Sequence, residues 1–216
     1  MRARLRLRER LWLRPLRGCP RLVIVAHPDD ETLWAGATIA SEPGAGVLCL
    51  TNRSVRARRS AFQHAMRALG AVGVIFDVPD RRSEPPTAFD IDRMTSAVRH
   101  VLLSCPSAAV FTHGPEGEYG HVMHQRVSAV VTTAAEELGA DLWYFDFADP
   151  EDPTDLGLGV PEAKARAFDA YFPPDREIPE SDAQHMRLSA LERPTRASDY
   201  QGLSPAVAAI YGSDGA

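Results

Sequence analysis

Two short clusters of ionisable residues, His27-Pro-Asp-Asp-Glu31 and His121-Val-Met-His124, carry the chemistry this chain could perform. The first packs one imidazole and three carboxylates into five residues, directly after the apolar run Leu22–Val25. So many polar groups beside a buried strand need a partner, and one divalent cation satisfies them together. The second cluster follows a glycine-rich turn, Gly114-Pro-Glu-Gly-Glu-Tyr-Gly120, and opens an apolar helical run (Val122, Val127, Val130, Val131). Residues three apart share a helix face, so both imidazoles can point into one cleft. His27, Asp30 and one histidine of the second cluster then make a His-Asp-His set. Three protein ligands leave an open position, the pattern of a catalytic rather than a structural zinc site, where bound water acidifies to a pKa of about 7. Asp29 is placed to take that water's proton. The spare histidine can stabilise an oxyanion or protonate a leaving amine, with Tyr119 as an oxyanion donor. Metal-assisted amide hydrolysis uses every residue in this constellation.

Each part has a plainer reading. Asp29 or Asp30 alone would serve as the N-cap of a following helix, and Glu31 as a first-turn acid facing the macrodipole. A lone His-x-x-His is common on helix surfaces. The joint arrangement is what points to a metal. His64, His100, His113 and His185 read as structural histidines, and Met66, Met94 and Met123 as core. The run Arg53–Arg59 reads as a solvated helix start with room for one arginine facing the cleft.

Positioning these clusters requires strands that end at a common edge. Apolar runs typical of buried parallel strands occur at Leu22–Ala26, Val47–Thr51, Val74–Phe76, Ala108–Thr112 and Leu142–Phe145. Helical candidates lie between and after them, at Thr32–Ala40, Ser54–Leu69, Asp90–Leu103 and Val122–Leu138, with Gly70 a natural stop. Strands alternating with helices predict an α/β fold, a three-layer Rossmann-like sandwich with a mostly parallel central sheet and right-handed crossovers. Ligands in such sheets bind at the carboxyl ends of strands, where both clusters fall. A dinucleotide site is excluded: the first strand is followed by His-Pro-Asp-Asp-Glu, and Gly44-Ala-Gly46 lacks the third glycine.

Composition bounds the rest. A chain of 216 residues, 44% hydrophobic, has room for one full core. We expect a basic arm over residues 1–20 and a single domain over 21–216, with long loops from about residue 146. Asp146–Glu162 and Phe172–Glu180 read as those loops, flanking a helix at Glu162–Tyr171. Seven arginines stand against one glutamate in the first seventeen residues, an arm expected to be solvated, with Leu11, Trp12 and Leu13 docked on the domain. A net charge of −5 argues against general nucleic-acid binding. No apolar run approaches the roughly 18 residues of a membrane span, and no secretory leader is legible. The three scattered cysteines fit core thiols in a reducing, cytoplasmic setting.

At these residues the chain resembles the PIG-L/LmbE-like zinc deacetylases. Ala26–Glu31 is the family's A-H-P-D-D-E, and Tyr119–His124 is similar to its Tyr-Gly-His-x-x-His ending. Arg58 to Gly70 resembles the helix between them, keeping Arg58, Ala65, Leu69 and Gly70 but carrying Ala61 and Phe62 where the family has Glu and Leu. The family's Ser/Thr-Gly turn after the second strand is replaced by Thr51-Asn-Arg-Ser54. The resemblance implies His27, Asp30 and His124 as zinc ligands, Asp29 as general base, and His121 and Tyr119 as transition-state donors. It also implies substrate contacts at Arg58 and Asp80. The partner implied is a small-molecule amino-sugar conjugate, as in thiol-precursor, lipid-anchor and antibiotic biosynthesis.

The expected activity is removal of an N-acyl group, acetyl as the resemblance implies, from an amino sugar or its conjugate. The same donors suit Fe2+ or another divalent ion as well as Zn2+. Two other readings compete: a sugar-binding protein that has lost catalysis, and a non-haem Fe(II) oxygenase. The presence of Asp29 argues against the first, and the alternation of strand and helix against the second, whose members are usually β-barrels. Oligomeric state is not readable from this sequence.

Overall fold

The computed structural model describes residues 5–80, 86–152, 154–155, 157–174 and 180–212. Arg2, Arg4 and residues 175–179 of the expected second loop lie outside the described residues. The five expected strands are present as β1 (Arg21–Val25), β2 (Ala45–Thr51), β3 (Val72–Val78), β4 (Ala109–Thr112) and β5 (Asp141–Tyr144), joined by a two-residue β6 (Thr195–Arg196). Their order is β3-β2-β1-β4-β5-β6. β1 to β5 run parallel, and β6 is antiparallel to β5. The order reverses between β1 and β4, so a cleft opens where their carboxyl ends diverge.

The helices are α1 (Leu7–Leu13), α2 (Asp30–Ser41), α3 (Arg56–Leu69), α4 (Ala88–Ser104), the single turn α5 (Gly117–Gly120), α6 (Val122–Leu138), α7 (Glu162–Tyr171), α8 (Glu180–Ser189) and α9 (Pro205–Gly212). Side chains alternate across each strand. Leu22 and Ile24 of β1 enter one core with α4 and α6, whereas Val23 and Val25 enter the other with α2, α3 and α7. Both faces of the sheet are therefore buried, which explains the unbroken apolar runs. In α3 the buried stripe is Phe62, Ala65, Met66 and Leu69, so the Phe62 departure fills core. Gly70 ends that helix in the left-handed conformation at φ 66°, with its amide and that of Ala71 closing back on Arg67 and Met66.

Several expectations are corrected here. The segment after the first cluster reads as amphipathic, yet α2 is buried from Asp30 to Ile39 because later helices also cover it. The basic arm forms α1 and a 3-10 turn, Arg14–Leu16, and inserts Leu13 and Leu16 into the core, leaving Leu11 exposed. Phe147 and Ala148, read as part of a surface loop, are buried by antiparallel pairing around Glu192.

Glu192 is the staple of this half of the molecule. Its carboxylate accepts the amides of Ala37 and Thr38 at 2.8 and 2.6 Å and lies 2.6 Å from Lys164 Nζ, which also donates to the Ser189 carbonyl. Lys164 and Glu192 are both fully buried. Gly36 makes room for the lysine stem, since a Cβ there would lie 2.7 Å from Lys164 Cγ. One ion pair thus ties α2, which starts at the ionisable cluster, to α7 and the C-terminal segment. Removing one partner leaves a buried uncompensated charge. We expect Lys164→Ala to cost about 3–5 kcal/mol in denaturant unfolding; a loss below 1 kcal/mol would show that the pair holds nothing together.

Candidate metal centre and active site

The loop after β1 and the loop after β4 meet above the switch point, and each delivers half of an ionisable cluster. His27 leaves the end of β1. Its amide donates to Asp30 Oδ2 at 2.7 Å, turning the Asp30 carboxylate back over the imidazole. His124 comes from the first turn of α6 and is fully buried. His27 Nδ1 lies 3.1 Å from His124 Nε2, and each is 3.4 Å from an Asp30 oxygen. Bonds of about 2.0–2.1 Å place neighbouring donors of a tetrahedral zinc about 3.3 Å apart, so this triangle has the dimensions of one tetrahedral face.

The outer nitrogens settle which atoms face inward. His124 Nδ1 lies 2.6 Å from Glu118 Oε2, and His27 Nε2 lies 3.2 Å from Asp80 Oδ2. Each carboxylate accepts an N–H, fixing the tautomer and leaving His124 Nε2 and His27 Nδ1 as lone pairs. His27 Nδ1, His124 Nε2 and the Asp30 carboxylate then converge on one point that suits a positive charge, a bound cation or, without one, a proton on His27. Charge agrees with this reading. Burial by itself lowers the His27 pKa, yet Asp30 and then Asp80 outweigh it and raise it to about 9. Burial would likewise raise Asp30, but His124 and His113 hold it well below the usual carboxylate range. The pocket stabilises positive charge, and His27, Asp30 and His124 fit a divalent ion.

Donor atoms of Asp30, His113 and His124 also lie within 4.8 Å of one another. His113, read from sequence as structural, has no free lone pair, since Nε2 accepts the Ala26 amide at 3.0 Å. Its Nδ1 lies 2.8 Å from Glu118 Oε2, and its ring stacks on His124 at 4.1 Å. It props the cluster from behind. Glu118, which sequence reasoning missed, receives both histidines and the Gly114 amide. Burial opposes its charge, but His113 and His124 hold its pKa down to about 2. Its spacing before His121-x-x-His124, in a turn too rich in glycine to be helix, was the only available signal.

Asp29 occupies the N-cap position of α2, yet its side chain makes no capping bond. Its backbone sits at φ 137°, rare for a residue with a Cβ. The amide is held by Glu31 Oε2 at 3.1 Å, and buried Glu31 is itself held by the Tyr171 and Thr32 hydroxyls. The carboxylate is thereby left facing the cleft, 3.6 Å from Arg58 Nη1. Burial and the Asp30 charge raise its pKa to about 7 against the pull of Arg58. Glu31, read as a first-turn acid, instead braces this strained residue. Among the described residues the three non-glycine positive-φ positions, Asp29, Asn52 and Glu118, follow β1, β2 and β4 at this one edge, where strain is expected if function holds it.

His121 lies beside the triangle, its ring 4.8 Å from His27 and 4.5 Å from His124. Its Nδ1 accepts the Met123 amide, capping α6 and directing Nε2–H into the cleft. Burial, then His124 and His27, lower its pKa to about 4, so it is a neutral donor at pH 7. Tyr119 stands over the histidines, 5.4 Å from His124, and stacks on His185 at 4.5 Å. Trp34 and Phe147 continue this aromatic wall. All eight residues named from sequence thus gather at one edge. His185, read as structural, joins the wall through α8.

Comparisons with known proteins follow the same residues. The profile of the PIG-L family, GlcNAc-PI de-N-acetylase, matches residues 22–135, from β1 to α6. An uncharacterized protein of Acanthamoeba polyphaga mimivirus is 27% identical over 51% of this chain and 56% of its own length. The 1D-myo-inositol 2-acetamido-2-deoxy-alpha-D-glucopyranoside deacetylase of Rhodococcus jostii is 31% identical over 67% of this chain and 62% of its own. A deacetylase of the same name from Saccharopolyspora erythraea is 28% identical over 74% and 68%. The chain thus spans little more than half to two thirds of these relatives. Among solved structures, the 4-carboxy-2-hydroxymuconate hydratase of Pseudomonas putida superposes at a TM-score of 0.51, with 21% identity over 72% of this chain and 79% of that one. A conserved Thermus thermophilus protein superposes at 0.50, with 19% identity over 69% and 78%. These two share the fold, which by itself does not decide a reaction. With more than half its length matched by the family profile, both histidine clusters included, the chain belongs to the PIG-L family.

Proposed function

We propose that the protein is a metal-dependent hydrolase that removes an N-acyl group, acetyl by likeness to the named deacetylases, from an amino sugar or its conjugate. The observation that carries this reading is a three-acceptor face built for a cation, with the uncapped Asp29 carboxylate beside it. His27 Nδ1, Asp30 and His124 Nε2 would hold the ion, with Zn2+ the best fit to the donor set. The bound ion supplies a Lewis acid that polarises the acyl carbonyl and acidifies the attacking water.

The remaining work falls to this chain's own side chains. Asp29 takes the water's proton as oxygen attacks the acyl carbon, then returns it to the amine nitrogen as the C–N bond breaks. Burial and the Asp30 charge raise this carboxyl's pKa and so favour its accepting a proton and passing it on. Neutral His121 donates its Nε2–H to the developing oxyanion, and Tyr119 is the second donor. Its low pKa favours that role over delivery of a proton as imidazolium. Glu118 and Asp80 orient His124 and His27, so Asp80 serves the ligand shell even where it also meets substrate. Arg58 fixes Asp29 and remains exposed enough to reach a substrate hydroxyl.

Amine release from a panel of N-acetylglucosaminides, before and after chelation, tests the reaction. Activity lost on chelation and restored by one added metal supports it, whereas metal-loaded protein that releases no amine from any N-acyl amino sugar would sink it. Asp29→Ala is expected to keep its metal and lose about 10²–10⁴ in kcat, while Asp30→Ala loses both. Glu118→Gln should weaken metal affinity about 10–100-fold, measured by competition with a chelating dye; unchanged affinity would remove it from the ligand shell. Because the base must be deprotonated, kcat/KM should fall as pH drops through the Asp29 pKa. A bound cation pulls that value below its metal-free position near 7. Arg58→Met removes a neighbouring positive charge and should move this acid limb upward; a limb that stays put would detach it from Asp29.

A further inference from the structure

We propose that the face formed by α1, the 3-10 turn after it and the end of α4 docks on an anionic phospholipid bilayer. Leu7 and Leu11, four residues apart, share the outer side of α1 and are 75% and 56% exposed. Arg8 flanks them on one side, and Arg10 and Arg14 on the other. Leu103 of α4, 62% exposed, extends the apolar strip. Beside it runs a groove of about 410 Å³ lined by Arg10, Arg14, Arg17 and His100 together with Leu11 and Leu103, and no acid lines it. Among the described residues no carboxylate pairs with Arg10, Arg14 or Arg17. Three arginines without a paired carboxylate among the described residues, on a chain of net charge −5, mark this face as an anion-seeking region. His100 beside them is held neutral by burial and Arg10, and the nearest acids, Asp92 and Glu137, line the adjoining groove beyond Arg10.

The leucines decide the kind of anion. Inorganic phosphate or a nucleic-acid backbone would neutralise the arginines but leave three large side chains in water. A bilayer surface uses both, with headgroup phosphates against the guanidinium groups and leucines in the boundary below them. Leu13 and Leu16, on the opposite side of this segment, are locked in the core, so the outer face is presented rigidly. No helix among the described residues is long and apolar enough to cross a membrane, so the contact is peripheral. Gly18 donates to the Ser104 carbonyl where β1 begins, which puts the groove at the opposite edge of the sheet from His27. A docked molecule therefore turns its catalytic edge away from the bilayer and takes its substrate from solution.

Co-sedimentation of the full chain with vesicles of phosphatidylcholine alone, or of two parts phosphatidylcholine to one part phosphatidylglycerol, tests this. Binding is expected only with phosphatidylglycerol and should weaken at raised salt. Arg10→Gln/Arg14→Gln/Arg17→Gln should lose about tenfold or more in partitioning, and Leu7→Ser/Leu11→Ser about tenfold. Both variants change exposed side chains, and their melting temperatures report that folding is intact. Absence of binding to the anionic vesicles overturns the proposal, as does binding that neither variant weakens. Retention by RNA without vesicle binding would assign the face to nucleic acid instead. Self-association removed by the leucine variant, again without vesicle binding, would assign it to a second copy of the chain.

Discussion

Three metal-donor groups, His27 Nδ1, the Asp30 carboxylate and His124 Nε2, face one another across 3.1–3.4 Å. Such an arrangement is repulsive unless a positive charge sits at its centre, so the protein has to impose it. The constraints come in pairs. Asp80 and Glu118 take the outward N–H of each imidazole, and the His27 amide holds Asp30. His113 stacks behind His124 while its own lone pair is occupied by the Ala26 amide. Each contact removes one way for the triangle to relax. Metal affinity in this fold therefore depends on groups that never touch the metal.

The same logic reaches the backbone. Asp29 at φ 137° and Glu118 at φ 56° are held against their intrinsic preference on the two loops that meet at the switch point. For Asp29 the restraint is Glu31, itself bonded by Tyr171 from α7, and α7 is fastened to α2 through Lys164 and Glu192. A chain of polar contacts thus runs from Asp29 to the C-terminal segment. Burial of Lys164 and Glu192 is expensive unless both are paired and hydrogen-bonded, and here both are. The pair holds the second half of α2 at Ala37 and Thr38, while Tyr171 and Glu31 brace its start beside Asp29.

Most of the sheet was legible because burial on both faces leaves unbroken apolar runs, and the two clusters stood where such strands end. The helix at Val122–Leu138 was readable residue by residue because His121 caps it and Gly139 ends it in the left-handed conformation. What stayed hidden was tertiary. Asp29 could have been an ordinary N-cap, and only the observation that its side chain makes no cap bond separates the two readings. His113 carries no local pattern and Glu118 only its place before His121-x-x-His124, because what they do depends on contacts made when the two clusters meet. α1 was obscured by its arginines, which mask the spacing of Leu13 and Leu16. α8 and α9 follow a proline-rich stretch, and their packing onto α2 had no periodic signal strong enough to overcome it.

The site draws on two parts of the chain. The acceptor triangle, Asp29 and His121 all lie within the span matched by the family profile, between residues 22 and 135. The aromatic wall beside them draws on both parts: Trp34 and Tyr119 lie inside that span, whereas Phe147 and His185 come from later segments. Trp34 and Phe147 are buried and back the partly exposed Tyr119 and His185. The Lys164–Glu192 staple holds α7 and the segment after it against α2, and through Tyr171 and Glu31 that later part of the chain supports the loop carrying Asp29, so the matched span is not shaped by its own residues alone.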